Sequence, residues 1–319
     1  MADQRIITGT SDRILEVDLS AGTFGVFSIP DIDRRLYLGG KGLGLKLLYD
    51  RMEPGADPLG PGNILAVMPG IMMGSGAPCS GKFAAAAKSP LTGIFTTSSC
   101  GGPFGMALKT SGWDGLLLKG RAPSPVLLAI DSSGLRFLPA DRLWGLDTAR
   151  TQEEIRELGT GALVIGPAGE NLVPFACAVS GHRVLGRGGL GAVLGSKSVK
   201  AVVARGDELE IAPADRKALA AARKKGVAYV NRNRMSGTYY RKFGTNTNVG
   251  LNGEHGLLPV RDVGQRAAHH HAHRVLEVAP LRELRERYRV VATAVATARA
   301  RRRTWGWSAS SRASEQLSG

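Results

Sequence analysis

A long-range repeat limits the fold of this chain more than any single motif does. Residues 82–120 read KFAAAAKSPLTGIFTTSSCGGPFGMALKTSGWDGLLLKG, and residues 174–206 read PFACAVSGHRVLGRGGLGAVLGSKSVKAVVARG. Both pass from a strand of small residues through a loop to Gly-Gly. Both then continue through Gly-x-x-Leu and a lysine to an apolar strand ending in a basic residue and glycine. Gly102 to Gly120 spans 18 positions and Gly189 to Gly206 spans 17, so one gap aligns the two. Self-similarity of this kind marks a duplicated supersecondary unit. Each half is expected to run strand, loop, Gly-Gly, helix, strand. The predicted fold class is α+β, with duplicated halves carrying antiparallel or mixed sheets.

The glycine pairs have two readings. A helix that begins at Gly-Gly can aim its free N–H groups and its dipole at an anion in the preceding loop. Alternatively, both turns only let helix and strand pack closely. Basic residues favour the anion: Lys82 and Lys88 flank the first strand, and Arg183 and Arg187 flank the turn before the second pair. A guanidinium beside exposed N–H groups suits a phosphate. The duplication would then place two anion sites around one ligand, with Arg187 and Gly188 among the contacts.

The remaining pattern is mixed. RILEVDLSAGTFGVFSIP alternates around a Ser-Ala-Gly-Thr turn and predicts a hairpin. Residues 32–50 predict helix, Gly-rich break, helix. NILAVMPG, KFAAAA, GLLLKG, VLLAID, ALVIGPAG, VPFACAVS and AVVARG are strand candidates, and 214–234 predict a polar helix. GKGLGLK follows a helical stretch rather than a strand, which argues against a dinucleotide loop.

Composition excludes several classes. Hydrophobic residues make up 43% of 319. No apolar run approaches the ~18 residues of a membrane helix. The N-terminus lacks an apolar signal core, so a cytoplasmic location is expected. Cys79, Cys100 and Cys177 are too far apart in sequence for CxxC, and Cys79 and Cys177 read as small buried side chains. The net charge is +15, but residues 265–319 hold 11 Arg and four Glu, nearly half of the excess. With few aromatics and no nucleic-acid motif, a nucleic-acid partner is not expected. Of 43 glycines, 41 lie in the first 264 residues. PLRELRERYRV predicts a short helix, and disorder is expected after it. The cluster His269, His270, His271 and His273 is read as a solvated run rather than a metal site, because adjacent histidines do not share a helix face.

The ordered motifs YLGGKGLGLKLLYD, MGSGAPCSGKFAAAAKSPLTG, SSCGGPFGMALKTSGWDGLLLKG, LWGLDT, IGPAGENLVPFA, HRVLGRGGLGAVLGSKSVKAVVARG and FGTNTNVGLNGEHGLLPVRD carry a resemblance. Over roughly residues 6–262 the chain resembles the N-terminal domain of the aldehyde ferredoxin oxidoreductase family. The resemblance implies a base for a tungsten (sometimes molybdenum) bis-pterin whose phosphates are bridged by magnesium. It also implies oxidation of aldehydes to acids, with electrons leaving through a [4Fe–4S] cluster to ferredoxin. Carried over, the cofactor contacts fall on Lys82, Ser99, Gly101, Arg183 and Val184, and the magnesium contacts on Ser99 and Val184. Family members often have Arg, Asn and Ala where this chain has Lys82, Ser99 and Val184. No catalytic side chain is assigned.

The resemblance divides the chain into a cofactor-binding domain (1–212), a helical exit segment toward a second domain (213–264) and a divergent tail (265–319). In the family, a helix like LRELRERYRV precedes a Cys-x-x-Cys-x-x-x-Cys run. Here VATAVATARARRR follows and supplies no thiolate for a cluster. A truncated or frame-shifted gene is therefore expected, and the chain alone is not expected to oxidise aldehydes. The alternatives are a non-catalytic pterin-binding module or an inactive pseudogene product. A homodimer is compatible with either.

Overall fold

The computed structural model describes residues 6–255, 257, 259–260 and 262–266. The predicted helix at 280–290 and the histidine run lie outside them. The chain forms two compact units, Met1–Lys224 and a second beginning at Lys225.

In the first unit, β1 (Ile6–Thr8) runs parallel to a later strand, Glu210–Ala212. The predicted hairpin forms as β2 (Ile14–Asp18) and β3 (Thr23–Phe27), followed by α1 (Asp31–Tyr37) and α2 (Gly40–Arg51). The break between these helices is shorter than the glycine pattern predicts, because Gly40, Gly42 and Gly44 belong to α2. Packing explains Gly44: a Cβ there would stand 3.3 Å from Met68 Cγ and 3.6 Å from Ala86 Cβ. Next come β4 (Leu65–Pro69), β5 (Phe83–Lys88), β6 (Phe95–Cys100), α3 (Pro103–Thr110) and β7 (Gly115–Lys119). The second half supplies β8 (Val126–Asp131), β9 (Gly134–Pro139), α4 (Thr148–Glu154), β10 (Gly161–Val164) and α5 (Pro167–Glu170). It continues with β11 (Ala178–Ser180), β12 (Arg183–Leu185), α6 (Leu190–Ser196) and β13 (Val199–Ala204).

The two six-stranded sheets have one topology. The first is ordered β3-β2-β7-β4-β5-β6, and the second, read in the same sense, β9-β8-β13-β10-β11-β12. In each, the single parallel pair joins the first hairpin to the last strand (β2 with β7, β8 with β13), and the other neighbours are antiparallel. The duplication therefore extends beyond the repeat visible in sequence and includes the opening hairpins. One expectation is corrected. The stretches read as loops between each first strand and Gly-Gly contain strands, β6 and β12, so each half closes its sheet with an edge hairpin.

Period-two alternation builds three layers of core. Leu15, Val17, Leu116 and Leu118 face inward with Leu128, Ile130, Val202 and Ala204, and between the sheets lie Phe104 and Leu108 of α3 with Leu190, Val193 and Leu194 of α6. The alternate residues face outward. Ile14, Ala66, Met68 and Leu117 pack under Leu43, Leu47 and Leu48 of α2, and Leu127, Ala129, Ala201 and Val203 pack with Ile155 beside α4. No helix among the described residues is long and apolar enough to cross a membrane.

The second unit starts within α7 (Arg216–Arg232), the predicted polar helix, which buries no side chain. The short helices Tyr240–Phe243 and Thr247–Glu254 and the hairpin strands Pro259–Val260 and Asp262–Arg266 follow.

Candidate cofactor-phosphate site

The two halves meet along their edge strands, and there the sequence-predicted residues gather. Arg183, at one end of β12, acts electrostatically on Cys100 at the end of β6. At the other end, Gly188 presses on Thr96 near the start of β6. The two edges therefore lie side by side and run in opposite senses. Lys82 directly precedes β5, and the ladder pairs Phe83 with Cys100 and Ala84 with Ser99, which sets Lys82 across from Gly101. Lys82 is fixed through its backbone, since its carbonyl accepts the Gly70 N–H at 3.2 Å. Lys82, Ser99, Gly101, Arg183, Val184 and Arg187 are all exposed.

The hairpin β11–β12 turns through only Gly181 and His182, because Ser180 pairs with Arg183. Gly181 has φ +58°, the first central position of a type II′ turn, which favours glycine. Residues flanking a two-residue loop form a hydrogen-bonded pair, so the next pair, Val179 with Val184, is non-bonded. The N–H and C=O of Val184 then point outward, away from β11. A contact through this carbonyl is insensitive to the valine side chain.

The helix starts do not serve as expected. Pro103 opens α3 and has no N–H, and the Phe104 N–H donates to Ser180 Oγ at 3.1 Å. The Gly191 N–H, in the first turn of α6, donates to the Ala176 carbonyl at 2.9 Å. The arrangement is reciprocal: each half sets its hairpin tip on the helix start of the other. A Cβ on Gly102 would stand 2.3 Å from the Ser180 carbonyl, and one on Gly189 2.0 Å from the Pro174 carbonyl and 2.9 Å from Pro90. Close packing thus accounts for the paired glycines. Gly188, half-buried at φ +73°, follows the same logic, since a Cβ would meet the Thr96 side chain at 2.4 Å. Gly101 differs. A Cβ there would meet nothing nearer than the Gly81 carbonyl at 3.7 Å, so the space above it is open.

Charge completes the picture. Among the described residues, Lys82, Arg183 and Arg187 form no ion pair and donate no side-chain hydrogen bond, whereas Lys88 donates to the Ala56 carbonyl at 2.7 Å. Burial pushes the Cys100 thiol above its usual range, and the Gly102 N–H and the Arg183 charge offset only part of this. Cys100 is therefore a neutral buried side chain. Cys79 and Cys177 depart from the sequence reading: Cys79 is exposed at φ +62°, and Cys177 is half-buried. Among the described residues no three His, Cys, Asp or Glu side chains cluster as metal ligands. The donors at this edge are cations, one hydroxyl and open backbone, which suits a phosphate better than a bare metal ion.

Ser180 was missed in the sequence. Its signal was indirect, because both helix caps are glycines without a capping side chain, which leaves a donor to be satisfied from elsewhere.

The sequence model of the family described as aldehyde ferredoxin oxidoreductase, N-terminal domain, matches residues 14–206, the span of the two sheets. The chain belongs to this family. It is 37% identical over 259 residues to a tungsten-containing aldehyde ferredoxin oxidoreductase of Thermococcus kodakarensis, covering 80% of this chain and 43% of that protein. An aliphatic sulfonate oxidoreductase, WOR-like subunit, of Pyrococcus furiosus is 30% identical over 214 residues, covering 61% of this chain and 34% of that protein. Among solved structures, the active site complex BamBC of benzoyl coenzyme A reductase, in complex with 1,5-dienoyl-CoA, superposes with a TM-score of 0.67 at 31% identity. That match covers 70% of this chain and 35% of the other. The chain thus spans less than half the length of the relatives it matches. Membership in this N-terminal domain family agrees with the duplicated α+β fold.

Proposed function

We propose that this chain forms the phosphate-binding base of a tungsten or molybdenum bis-pterin cofactor in an aldehyde-oxidising enzyme that passes electrons to ferredoxin in the cytoplasm. The observation that carries this reading is the meeting of two sheet edges at exposed cations that have no partner among the described residues: Lys82 and Arg183 beside the open backbone at Gly101, and Arg187 toward the start of β6. When bound, the metal-pterin group supplies the two-electron chemistry at the aldehyde carbon. The chain's own part is electrostatic and positional. Arg183 offers a bidentate fork to a phosphate, and Lys82 a point charge. Ser99 Oγ and the outward carbonyl of Val184 would supply oxygen ligands for a magnesium ion. Arg187 and the backbone at Gly188 extend the basic edge along β6.

The experiment is elemental analysis of the purified chain for W, Mo, Fe and Mg, with pterin fluorescence after acid oxidation. Tungsten or molybdenum together with pterin, reduced in R183A, supports the reading. No metal and no pterin in the wild type overturns it. Metal and pterin without aldehyde-dependent dye reduction favours the second reading, a pterin-binding module without catalysis.

A further inference from the structure

The phosphate reading depends on Arg183 being held still, yet Arg183 sits at the exposed tip of a hairpin with three-residue strands. Short edge hairpins of this size do not order themselves. Two contacts fix this one. On one side, Ser180 Oγ accepts the Phe104 N–H at the start of α3. On the other, Gln152 of α4 holds both backbone polar groups of Gly181: its Oε1 accepts the Gly181 N–H at 2.7 Å, and its Nε2 donates to the Gly181 carbonyl at 3.4 Å.

Gln152 is itself positioned. Its Nε2 also donates to the Thr148 carbonyl at 3.1 Å, one turn back along α4. That helix is anchored at its start, where Asp147 Oδ1 accepts the Arg150 N–H at 2.8 Å and the hydroxyl of buried Thr151 donates to the Asp147 carbonyl at 2.7 Å. Next to its end, Ile155 is buried against the outer face of the second sheet. The side-chain amide thus links a rigid base to Gly181, two residues before Arg183. An amide is suited to this task, since it donates and accepts at once. A carboxylate or an aliphatic side chain keeps at most one of the two bonds.

We propose that Gln152 is a positioning residue for anion binding: it clamps the Gly181–His182 turn and so aims the Arg183 guanidinium and the Val184 carbonyl. This inference rests on the phosphate-cradle reading and assigns a role to a residue that touches no ligand. The consequence is energetic coupling. If Gln152 acts through Arg183, its removal matters only while Arg183 is present.

The test is a double-mutant cycle on the full chain, with inorganic pyrophosphate as probe and affinity measured by calorimetry at fixed, low salt. The variants are Q152M, R183A and Q152M/R183A, each checked by its thermal midpoint. In the wild type, Arg183-dependent binding is expected. Q152M is expected to weaken it by roughly two- to tenfold, the loss of one or two hydrogen bonds in the positioning of a charge. The double variant is expected to bind like R183A. Faster amide exchange at Gly181 and His182 in Q152M gives an independent readout of the same clamp.

Equal affinity of Q152M and wild type, with binding still Arg183-dependent, overturns the proposal and leaves the cradle standing. Additive losses in the double variant also overturn it, because Gln152 would then be acting on the fold at large. Binding that ignores Arg183 overturns the cradle and the proposal with it. Should Q152M fail to fold, Q152E, which keeps the acceptor for the Gly181 N–H, carries the same cycle.

Discussion

The first and second halves of the sandwich share every strand pairing, but they handle the buried lysine at the end of their central helix differently. In the first half, Lys109 of α3 is buried and paired with Asp114, which also accepts the Thr10 hydroxyl and the Asp12 N–H. In the second, Lys197 follows α6, is fully buried, and finds no carboxylate among the described residues. Its Nζ donates instead to the carbonyls of Asn63 and Gly120, both in the first half. Burial, with a smaller push from the Arg121 charge, lowers its pKa to about 8. The first half thus neutralises this lysine itself, whereas the second leans on the first to hold Lys197 and pairs its own buried carboxylate, Glu170, with Lys200 of β13. Duplication copied the topology and left the electrostatics to diverge.

The sharpest way to break the comparison is to take the partner from Lys109. D114N leaves an uncompensated buried charge and should cost about 3–5 kcal/mol in chemical denaturation. Burial raises the Asp114 carboxyl, and Lys109, Thr10 and the Asp12 N–H together outweigh that and leave it below its usual value. Its contribution is present above the unfolded value and disappears as pH falls through the folded one, so D114N should also flatten part of the acid limb. A D114N as stable as wild type would refute the ion-pair account.

Next in size are the reciprocal glycines. G102A meets the Ser180 carbonyl and G189A the Pro174 carbonyl, and G189A adds a left-handed φ of +71°. Each should lose about 2 kcal/mol or more, with G189A the worse. A tolerant G102A would mean that the halves do not dock as tightly as their backbones require.

Lys197 gives a smaller effect with the same pH sign, in the alkaline range. Its folded pKa lies below the 10.5 of a free lysine. Between about 8 and 10.5 the unfolded chain binds more protons, so stability rises with pH across that window and the burial cost is fully present below it. The difference in stability between wild type and K197M should grow in favour of wild type from pH 8 to pH 10.5. A pH-independent difference would show that Lys197 keeps an ordinary pKa.

The smallest expected effect is that of S180A. Removing the Oγ that accepts the Phe104 N–H should cost about 1 kcal/mol. It should also loosen both the start of α3 and the β11–β12 hairpin that Ser180 ties to it, as amide exchange would record.

Some of this was legible in the residues. The Gly-Gly repeat announced the duplication, and alternation or apolar runs located β2, β3, β4, β5, β7, β8, β10, β11 and β13. The edge strands β6, β9 and β12 escaped, although the edge strand β3 was read with its hairpin. FTTSSC is mostly polar and lies at the end of a sheet, and RVL is three residues long, so neither has a core face to advertise. The candidate site lies on those two edges, which is why the cations were named correctly as residues but assigned to loops and helix starts.

Sequence by itself determined the class of fold, the two-part repeat, the excess of glycine and the basic residues at Lys82, Arg183 and Arg187. These follow from local periodicity, composition and spacing, which need no knowledge of contacts. Only the tertiary structure decided what the glycines face, which donors are already bonded and which cations remain unpaired. Each of those depends on the approach of backbones far apart in the chain. Ser180 caps a helix 76 residues earlier, and Gly188 leaves room for Thr96 on the other sheet. A glycine written for close packing and one written for a ligand look the same in sequence. Only the neighbour across the sheet edge tells them apart.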